Sequence, residues 1–289
     1  MFRTQLNISN IIKSGSLING DSPLKNKAIH GGLSLFISRV RFFVYLFWAL
    51  LLAAFRLPWL SDDGRRQLIK RWCQRVLPLL RIRVVVSGAL PSQTLMLVAN
   101  HISWVDPWVI NSVVPVRFVA KSEVRSYPLI GWLAKQCGVV FIERARRKDA
   151  ARVAGEGAKV LNEGDCFCVF PEGTTTDGTY VLPFKSSLLQ AAVETNVDIL
   201  PIALRYLSPD GSTNTDVAFI GEMNLWQSLT IILQQPKIEA EIVFLQPISH
   251  QGQDRPSLAK AAYDQIVNQL HLPPRAALET LDGPANGEQ

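Results

Sequence analysis

The chain has 289 residues, of which 48% are hydrophobic and 19% charged, and its formal net charge is +6. This composition excludes an intrinsically disordered protein, which needs low hydrophobicity and high charge. Four scattered cysteines without a C-x-x-C pair exclude a disulfide framework and argue against a zinc ribbon. The positive charge is concentrated, because residues 39–83 carry ten Lys or Arg and only two acids. Since this basic segment includes an apolar run, it indicates an anionic membrane surface rather than a nucleic acid as partner.

The first predicted element is an apolar helix that follows a polar N-terminal segment, residues 1–31. Its centre, residues 42–55, reads FFVYLFWALLLAAF and is flanked by Arg39, Arg41 and Arg56. A helix that crosses the bilayer needs about 20 apolar residues, and this run reaches that length only if arginines are included. We therefore expect a helix inserted in one leaflet, with a full span and a buried core helix as alternatives. The absence of a small-residue cleavage site argues against a cleavable signal peptide.

A basic amphipathic helix is predicted directly after the apolar one. Ser61 followed by two aspartates is typical of a helix N-terminus, and apolar residues recur at helical spacing among arginines and Lys70. Packed on its own domain, it would be an ordinary solvated helix. Its position after an apolar helix favours a two-helix membrane-associating region over residues 32–81.

The body of the chain, residues 82–271, alternates short apolar runs with helical segments. The predicted strands cover residues 82–87, 95–99, 116–120, 138–142, 166–170, 199–206 and 239–244, and the predicted helices cover 127–136, 149–162, 186–195 and 257–270. This alternation indicates a single α/β domain with a central, mostly parallel sheet flanked by helices. The tail, residues 272–289, is rich in Pro, Gly and acids and is predicted to be flexible.

Three polar segments follow predicted strands, where open α/β sheets place their chemistry. The first runs from Asn100 through His101 and Ser103 to Asp106 and Pro107. Pro107 favours a helix start, so Asp106 is predicted to cap the helix and, across the turn, to lie beside His101. A carboxylate beside an imidazole makes a general base, although a capping Asp and a packed His would give the same pattern.

The other two segments are a polar loop and a group of cations. The loop follows the strand at 166–170 and contains Glu172, Gly173 and Thr174, which suit a hydroxyl-bearing substrate or form an ordinary turn. The cations are Lys121 and Arg144, each placed after a predicted strand. Arginine binds phosphate bidentately, so Arg144 is the candidate for an anionic group. The neighbouring Arg146, Arg147 and Lys148 are read as a solvated face.

In their order along residues 80–205, these motifs resemble the lysophospholipid acyltransferase family, and most of all its 1-acylglycerol-3-phosphate acyltransferases. The matching sequences are N-H-x-x-x-x-D, F-I-x-R, F-P-E-G-T and the apolar segment L-P-I at 200–202. The resemblance implies acyl transfer from acyl-CoA or acyl carrier protein to a lysolipid hydroxyl, with no metal or cofactor. It further implies a location at the membrane interface, where acceptor and donor meet, and the basic flanks of the apolar run indicate the cytoplasmic face.

The resemblance also implies a role for each matching residue. His101 would be the catalytic base and Asp106 its orienting partner, while Asn100 and Ser103 shape the turn. Substrate binding would fall to the residues of the other motifs, which are Lys121, Arg144, Glu172, Gly173 and Thr174.

The acceptor is the open point of the resemblance. Phosphatidate-forming members usually carry Arg after F-P-E-G-T, whereas this chain has Thr175. The sequence places lysophosphatidate first only narrowly, on the strength of Arg144, with lyso-ornithine lipid or another lysophospholipid as the alternative. Three other readings remain: a non-catalytic membrane adaptor, a metal-dependent hydrolase using His101 and Asp106, and a hydrolase with Ser103 as nucleophile.

Overall fold

The computed structural model describes residues 32–121, 131–132, 139–142 and 147–272. Its centre is a seven-stranded sheet with the spatial order β1-β7-β6-β2-β5-β3-β4. The strands are β1 (Ile82–Gly88), β2 (Met96–Ala99), β3 (Arg117–Lys121), β4 (Val140–Ile142), β5 (Phe167–Val169), β6 (Ile199–Leu207) and β7 (Ile238–Phe244).

Helices precede the sheet and cover its faces. They are α1 (Gly32–Phe55), α2 (Asp62–Val76), α3 (Asp106–Val113), α4 (Arg147–Asn162), α5 (Gln190–Thr195), α6 (Leu225–Gln234) and α7 (Arg255–Leu270). Every residue of β2 is buried, and buried apolar clusters lie on both sides of the sheet. Continuous apolar strands are expected where helices cover both faces.

The pairing of the strands brings two of the polar segments together. β2 runs parallel to β5 and to β6, and β3 runs parallel to β4 and β5. The segments that follow β2 and β5 therefore emerge at the same edge of the sheet. β7 is antiparallel to β6 and parallel to β1. The predicted α/β class and mostly parallel sheet are confirmed.

The apolar N-terminal helix is longer than the run that predicted it. Within α1, residues Leu35–Phe55 are long and apolar enough to cross a membrane, judged by length and composition alone, and only 11% of the most apolar stretch is buried. That exposure argues against the buried core helix. The large apolar side chains exposed on α1 are Phe36, Ile37, Val40, Phe43, Val44, Phe47, Trp48, Leu52 and Phe55.

The opposite face of α1 packs on the domain. Phe42, Ala49 and Ala53 are buried. The aromatic ring of Tyr45 stacks on Trp72 of α2, with ring centroids 6.4 Å apart. The predicted second helix forms as α2, and its N-cap Ser61 accepts from the backbone N–H of Gly64. The two N-terminal helices thus pack on the domain with one strongly apolar face left exposed.

Some predicted elements differ from the structure or lie outside it. The sequence reading missed α6, which begins with a capping box between Asn224 and Gln227. The predicted helix at 127–136 lies outside the described residues except for 131–132, and so do the N-terminal segment and all but residue 272 of the tail. The limits assigned to the membrane-associating region and the catalytic domain stay predictions.

Candidate active site

The turn between β2 and α3 brings His101 and Asp106 into contact. His101 Nδ1 lies 2.7 Å from Asp106 Oδ2. The same carboxylate oxygen accepts from the backbone N–H groups of Ile102 and Ser103 at 2.7 and 2.9 Å. The predicted pairing of imidazole and carboxylate is confirmed. Because Asp106 is 0% exposed, these bonds hold it without help from solvent.

The predicted cap at Asp106 is wrong. The N-cap of α3 is Val105, which makes no side-chain capping bond, and Asp106 belongs to the first turn of the helix. Its short side chain bends back to the preceding turn because two unpaired N–H groups and the imidazole lie there. The carboxylate therefore stabilises the turn that carries His101 rather than the start of its own helix.

A tyrosine that the sequence reading missed completes the surroundings of Asp106. Tyr206 of β6 donates its hydroxyl hydrogen to Asp106 Oδ1 at 2.6 Å. Burial and the neighbouring Asp106 raise the pKa of Tyr206 well above its ordinary value, so the phenol keeps its proton. Each oxygen of Asp106 thus accepts at least one hydrogen bond, so neither is left unpaired in this buried site.

The imidazole of His101 lies at the edge of the protein interior. Its ring stacks on Phe170, with centroids 4.1 Å apart and planes 14° apart, and its side chain is 16% exposed. With Asp106 Oδ2 as the acceptor of this hydrogen bond, Nδ1 carries the hydrogen, which leaves Nε2 as the basic nitrogen. Among the described residues, no hydrogen-bond partner of Nε2 is present. The free nitrogen is therefore available to an incoming hydroxyl.

Glu172 joins the two polar segments through its carboxylate. Oε1 accepts from the backbone N–H of His101 at 2.6 Å, and Oε2 accepts from that of Leu182 at 2.8 Å. Glu172 is 3% exposed. Burial raises its pKa to about 8, although the two backbone N–H groups act in the opposite direction. With both oxygens occupied, the carboxylate fixes the position of the His101 backbone.

The loop after Glu172 is bonded to the same turn from its other side. The backbone N–H of Thr176 donates to His101 O at 2.9 Å. The Thr175 hydroxyl donates to Phe219 O, and the Phe219 N–H donates to Ile102 O at 3.0 Å. Thr174 is exposed between these bonded residues. Thr175 therefore ties the loop to a neighbouring segment and places no cation beside the turn.

Asn100 and Ser103 are buried parts of the turn rather than open groups. The Asn100 side chain both donates to and accepts from the backbone of Leu204, at 2.9 and 2.8 Å. Ser103 Oγ is buried and has no hydrogen-bond partner among the described residues. It makes no bond to His101, so the geometry does not support Ser103 as an activated nucleophile. Direct contact of these two residues with substrate stays a prediction.

The two predicted cations cannot be placed in the site. The backbone of Lys121 ends β3, but its side chain lies outside the described residues, as does Arg144. The described residues also contain no group of three or more His, Cys, Asp or Glu side chains that could hold a metal ion.

The comparisons with known proteins show which family the chain belongs to. The sequence profile of the family described as Acyltransferase matches residues 81–205. The lyso-ornithine lipid O-acyltransferase of Pseudomonas aeruginosa is 36% identical over 212 residues, 73% of this chain and 81% of the relative. A 1-acyl-sn-glycerol-3-phosphate acyltransferase of Neisseria gonorrhoeae is 31% identical over 150 residues, 52% of this chain and 58% of the relative.

A solved structure supports the fold. The crystal structure of the 1-acyl-sn-glycerophosphate acyltransferase PlsC from Thermotoga maritima superposes with a TM-score of 0.61 at 23% identity. The match covers 88% of this chain and 100% of that chain. The family model and the named relatives show that the chain is an O-acyltransferase. From its sequence relatives, the chain belongs to the lysophospholipid acyltransferase family, and acyl transfer to a lysolipid is its class of reaction.

Proposed function

We propose that this enzyme acylates the free hydroxyl of lyso-ornithine lipid. Relatives with that name match 66–73% of the chain at 34–36% identity. Thr175, which stands where phosphatidate-forming members usually carry Arg, supports the same choice. Its hydroxyl donates to Phe219 O, so this position supplies no positive charge for a phosphate. The sequence alone placed lysophosphatidate first, and these observations reverse that narrow preference.

Lysophosphatidate is the second candidate acceptor. It is favoured by Arg144, which matches the family's second motif, and by the 1-acyl-sn-glycerol-3-phosphate acyltransferase alpha of Homo sapiens. That relative is 37% identical over 170 residues, 54% of this chain. A phosphomonoester needs more positive charge than a carboxylate, so the two acceptors make different demands on the same site.

The proposed mechanism is direct acyl transfer with His101 as general base. His101 Nε2 removes the proton of the acceptor hydroxyl while the hydroxyl oxygen attacks the carbonyl carbon of an acyl thioester. The C–S bond of the tetrahedral intermediate then breaks, and the proton on His101 passes to the departing thiolate. The observation that carries this proposal is the 2.7 Å contact of His101 Nδ1 with Asp106, which leaves Nε2 free and basic.

Two further groups support the mechanism from the same edge of the sheet. Glu172 acts as a positioning residue, because its carboxylate oxygens are bonded to backbone N–H groups. Acceptor contact and stabilisation of the oxyanion then fall to its neighbours Gly173 and Thr174. The donor is acyl-CoA or acyl carrier protein, a co-substrate rather than a bound cofactor.

We further propose that α1 and α2 hold the enzyme on the cytoplasmic face of a membrane. The domain packs against α1 from Arg39 to Ala53, so a helix crossing the bilayer would carry part of the domain with it. Insertion into one leaflet leaves the domain outside the hydrocarbon core of the bilayer. The Lys and Arg residues that flank the apolar run agree with the positive-inside tendency.

The test is acyl transfer by the purified full chain in mixed micelles or vesicles. Labelled acyl-CoA or acyl carrier protein is supplied with lyso-ornithine lipid, lysophosphatidate and other lysolipids, with His101→Ala alongside. We expect transfer to lyso-ornithine lipid, loss of transfer in the variant, and no effect of EDTA. Transfer to lysophosphatidate alone would contradict the acceptor. No transfer from either donor would support the non-catalytic adaptor, and loss with EDTA would support the metal-dependent hydrolase.

A further inference from the structure

We propose that Lys185 binds the acidic group of the acceptor headgroup, a role that none of the four sequence motifs assigns. The inference rests on the proposed function, because it names the part of the lysolipid that this cation contacts. The group is the carboxylate of an ornithine headgroup or, for lysophosphatidate, the phosphate. In both cases an anion meets an ammonium at the loop beside His101.

The position of Lys185 is the first support. An ideal Cβ built on Gly173 would lie 2.5 Å from Lys185 Nζ and 3.3 Å from its Cδ. The lysine side chain therefore runs over the space that a side chain at 173 would fill. Gly173 follows Glu172, whose carboxylate accepts from the His101 N–H. The ammonium thus lies on the loop that flanks the catalytic base.

The backbone around Lys185 is fixed, so the base of its side chain is held in place before a ligand arrives. The Lys185 N–H donates to Pro171 O at 3.0 Å, and the Leu182 N–H donates to Glu172 at 2.8 Å. Between them, the ring of Phe184 packs edge-to-face on Tyr263, with centroids 5.4 Å apart. Because this backbone is already ordered, only the side chain of Lys185 loses conformational entropy when an anion binds.

The charge of Lys185 is not used within the described part of the chain. No hydrogen bond or ion pair of its ammonium with another described residue is present, and the residue is exposed. The nearby carboxylate of Glu172 is engaged with backbone N–H groups. The exposed neighbour Thr174 adds a hydroxyl on the same loop. A free ammonium and a hydroxyl on the same loop match a carboxylate or phosphate, which accepts several bonds at once.

This assignment explains how the loop functions with threonine at position 175. The Thr175 side chain donates to Phe219 O and holds the loop, so it supplies no charge. Lys185 supplies a positive charge to the same loop from a segment ten residues further along the chain. A lysine binds as a compact point charge and lacks the fixed bidentate geometry of arginine, which suits a single carboxylate.

The experiment is a double-mutant-type cycle that removes the positive charge of Lys185 and the negative charge of the acceptor, separately and together. Wild type and Lys185→Gln are assayed with lyso-ornithine lipid and with its carboxyl methyl ester, which has lost the negative charge. We expect the variant to raise KM for the acid about 10- to 100-fold, as for loss of a charge-assisted bond. The variant should leave KM for the ester unchanged, because the ester has already lost this contact.

Lys159→Gln is the matched control, because Lys159 is exposed in the last turn of α4, which leads into the opposite end of β5. It should leave both KM values unchanged, which excludes a general effect of net charge. If Lys185→Gln instead raised KM for acyl-CoA, or raised KM for acid and ester equally, the inference would be wrong.

The outcome is separable from that of the proposed function. If only lysophosphatidate is acylated, the cycle is run with lysophosphatidate and uncharged monoacylglycerol, and the same criterion applies to Lys185. If no lysolipid is acylated, equilibrium binding of short-chain, water-soluble forms of each pair replaces KM. Equal binding by wild type and Lys185→Gln would overturn the inference, and weaker binding of the charged form alone would support it.

Discussion

Tyr206 and Asp106, which are 100 positions apart in the chain, meet through a 2.6 Å hydrogen bond at the centre of the site. The bond engages Asp106 Oδ1, whereas Oδ2 faces His101 and the backbone of the turn. β6 pairs directly with β2, and that register brings the tyrosine to the carboxylate. Tyr206 is therefore a positioning residue that acts on the base through Asp106.

Tyr206→Phe should lower kcat and leave KM for the lysolipid nearly unchanged. The phenol holds Asp106 through Oδ1, so its loss leaves the partner of His101 less firmly positioned. We expect a fall of about tenfold in kcat, which corresponds to the loss of one buried hydrogen bond. The measurement is kcat and KM at a single pH, with the free energy of unfolding beside them. An unchanged kcat with lower stability would mean that Tyr206 has a packing role only.

Asp106→Asn should cost far more activity than Tyr206→Phe. The amide oxygen can replace Oδ2 as acceptor, but the amide nitrogen at the position of Oδ1 is a donor and cannot accept from the Tyr206 hydroxyl. It also removes the charge that stabilises the protonated imidazole during acyl transfer. We expect kcat to fall by about two to four orders of magnitude, in the range known for general-base catalysis. Pre-equilibrium binding of the lysolipid should change little, which separates this effect from that of Lys185→Gln.

Glu172 should make the stability of the protein depend on pH. Burial raises its pKa to about 8, from an ordinary value of 4.5. The folded state therefore holds a proton that the unfolded state releases between these two values. The free energy of unfolding is highest below pH 4.5 on this account and falls as the pH rises to 8, by up to about 1.4 kcal/mol per pH unit.

Glu172→Gln should remove this pH dependence and also lower stability by about 1–3 kcal/mol, since one backbone N–H loses its acceptor. The measurement is denaturant unfolding at pH 5, 6.5 and 8. The exposed Glu156 of α4 offers the matched control Glu156→Gln, which should keep the slope of the wild type. Parallel slopes for wild type and Glu172→Gln would contradict the prediction.

Gly173→Ala tests whether the loop and the side chain of Lys185 tolerate a Cβ at position 173. The backbone of Gly173 has φ +76°, and a Cβ there would lie 2.5 Å from Lys185 Nζ. We expect a loss of about 1–2 kcal/mol of stability from the left-handed backbone, together with a higher KM for charged acceptors as the ammonium is displaced. Gly164→Ala is the control, because Gly164 has φ +83° and no heavy atom within 4 Å of its ideal Cβ. Gly164→Ala should lower the stability by a similar amount and leave KM unchanged.

Removing aromatic side chains from the exposed face of α1 should weaken binding to vesicles. Phe47 and Trp48 are each 59% exposed. Burial of such a side chain contributes about 1.5–3 kcal/mol, so Phe47→Ser or Trp48→Ser should lower the partition coefficient about tenfold or more. Co-sedimentation with anionic vesicles measures it. Val86→Ser, at an exposed position of β1, should have no effect, and an equal loss there would show that binding does not depend on α1.

The sequence predicts best where one local pattern determines the structure. The turn from Asn100 to Asp106 follows an apolar strand and precedes Pro107, and these neighbours are enough to place His101 beside a carboxylate. The apolar runs likewise indicate β2, β5 and β6, because these strands are buried on both faces. Local patterns are weaker at helix ends, and so the cap assigned to Asp106 was wrong by one residue.

The missed residues depend on contacts between distant parts of the chain. Tyr206 reads as one more apolar residue of β6, and only the pairing of β6 with β2 brings it to Asp106. Lys185 lies twelve positions after Gly173, and nothing in the spacing places its ammonium over that glycine. The threonine at 175 was read as a missing cation, whereas its bond to Phe219 required the fold of residues 215–224.

The helix α6 connects α1 to the turn that carries His101. Arg39 of α1 donates to Thr230 at 2.9 Å, and Phe43 stacks on Trp226. Between Trp226 and Thr230 on the same helix, Ser228 accepts from the indole N–H of Trp104 at 2.9 Å. With α1 inserted in one leaflet as we propose, direct contacts and not a linker would set the height of His101 above the bilayer. Such an enzyme would select its target by depth, since a hydroxyl near the headgroup would reach the imidazole and one deep among the acyl chains would not.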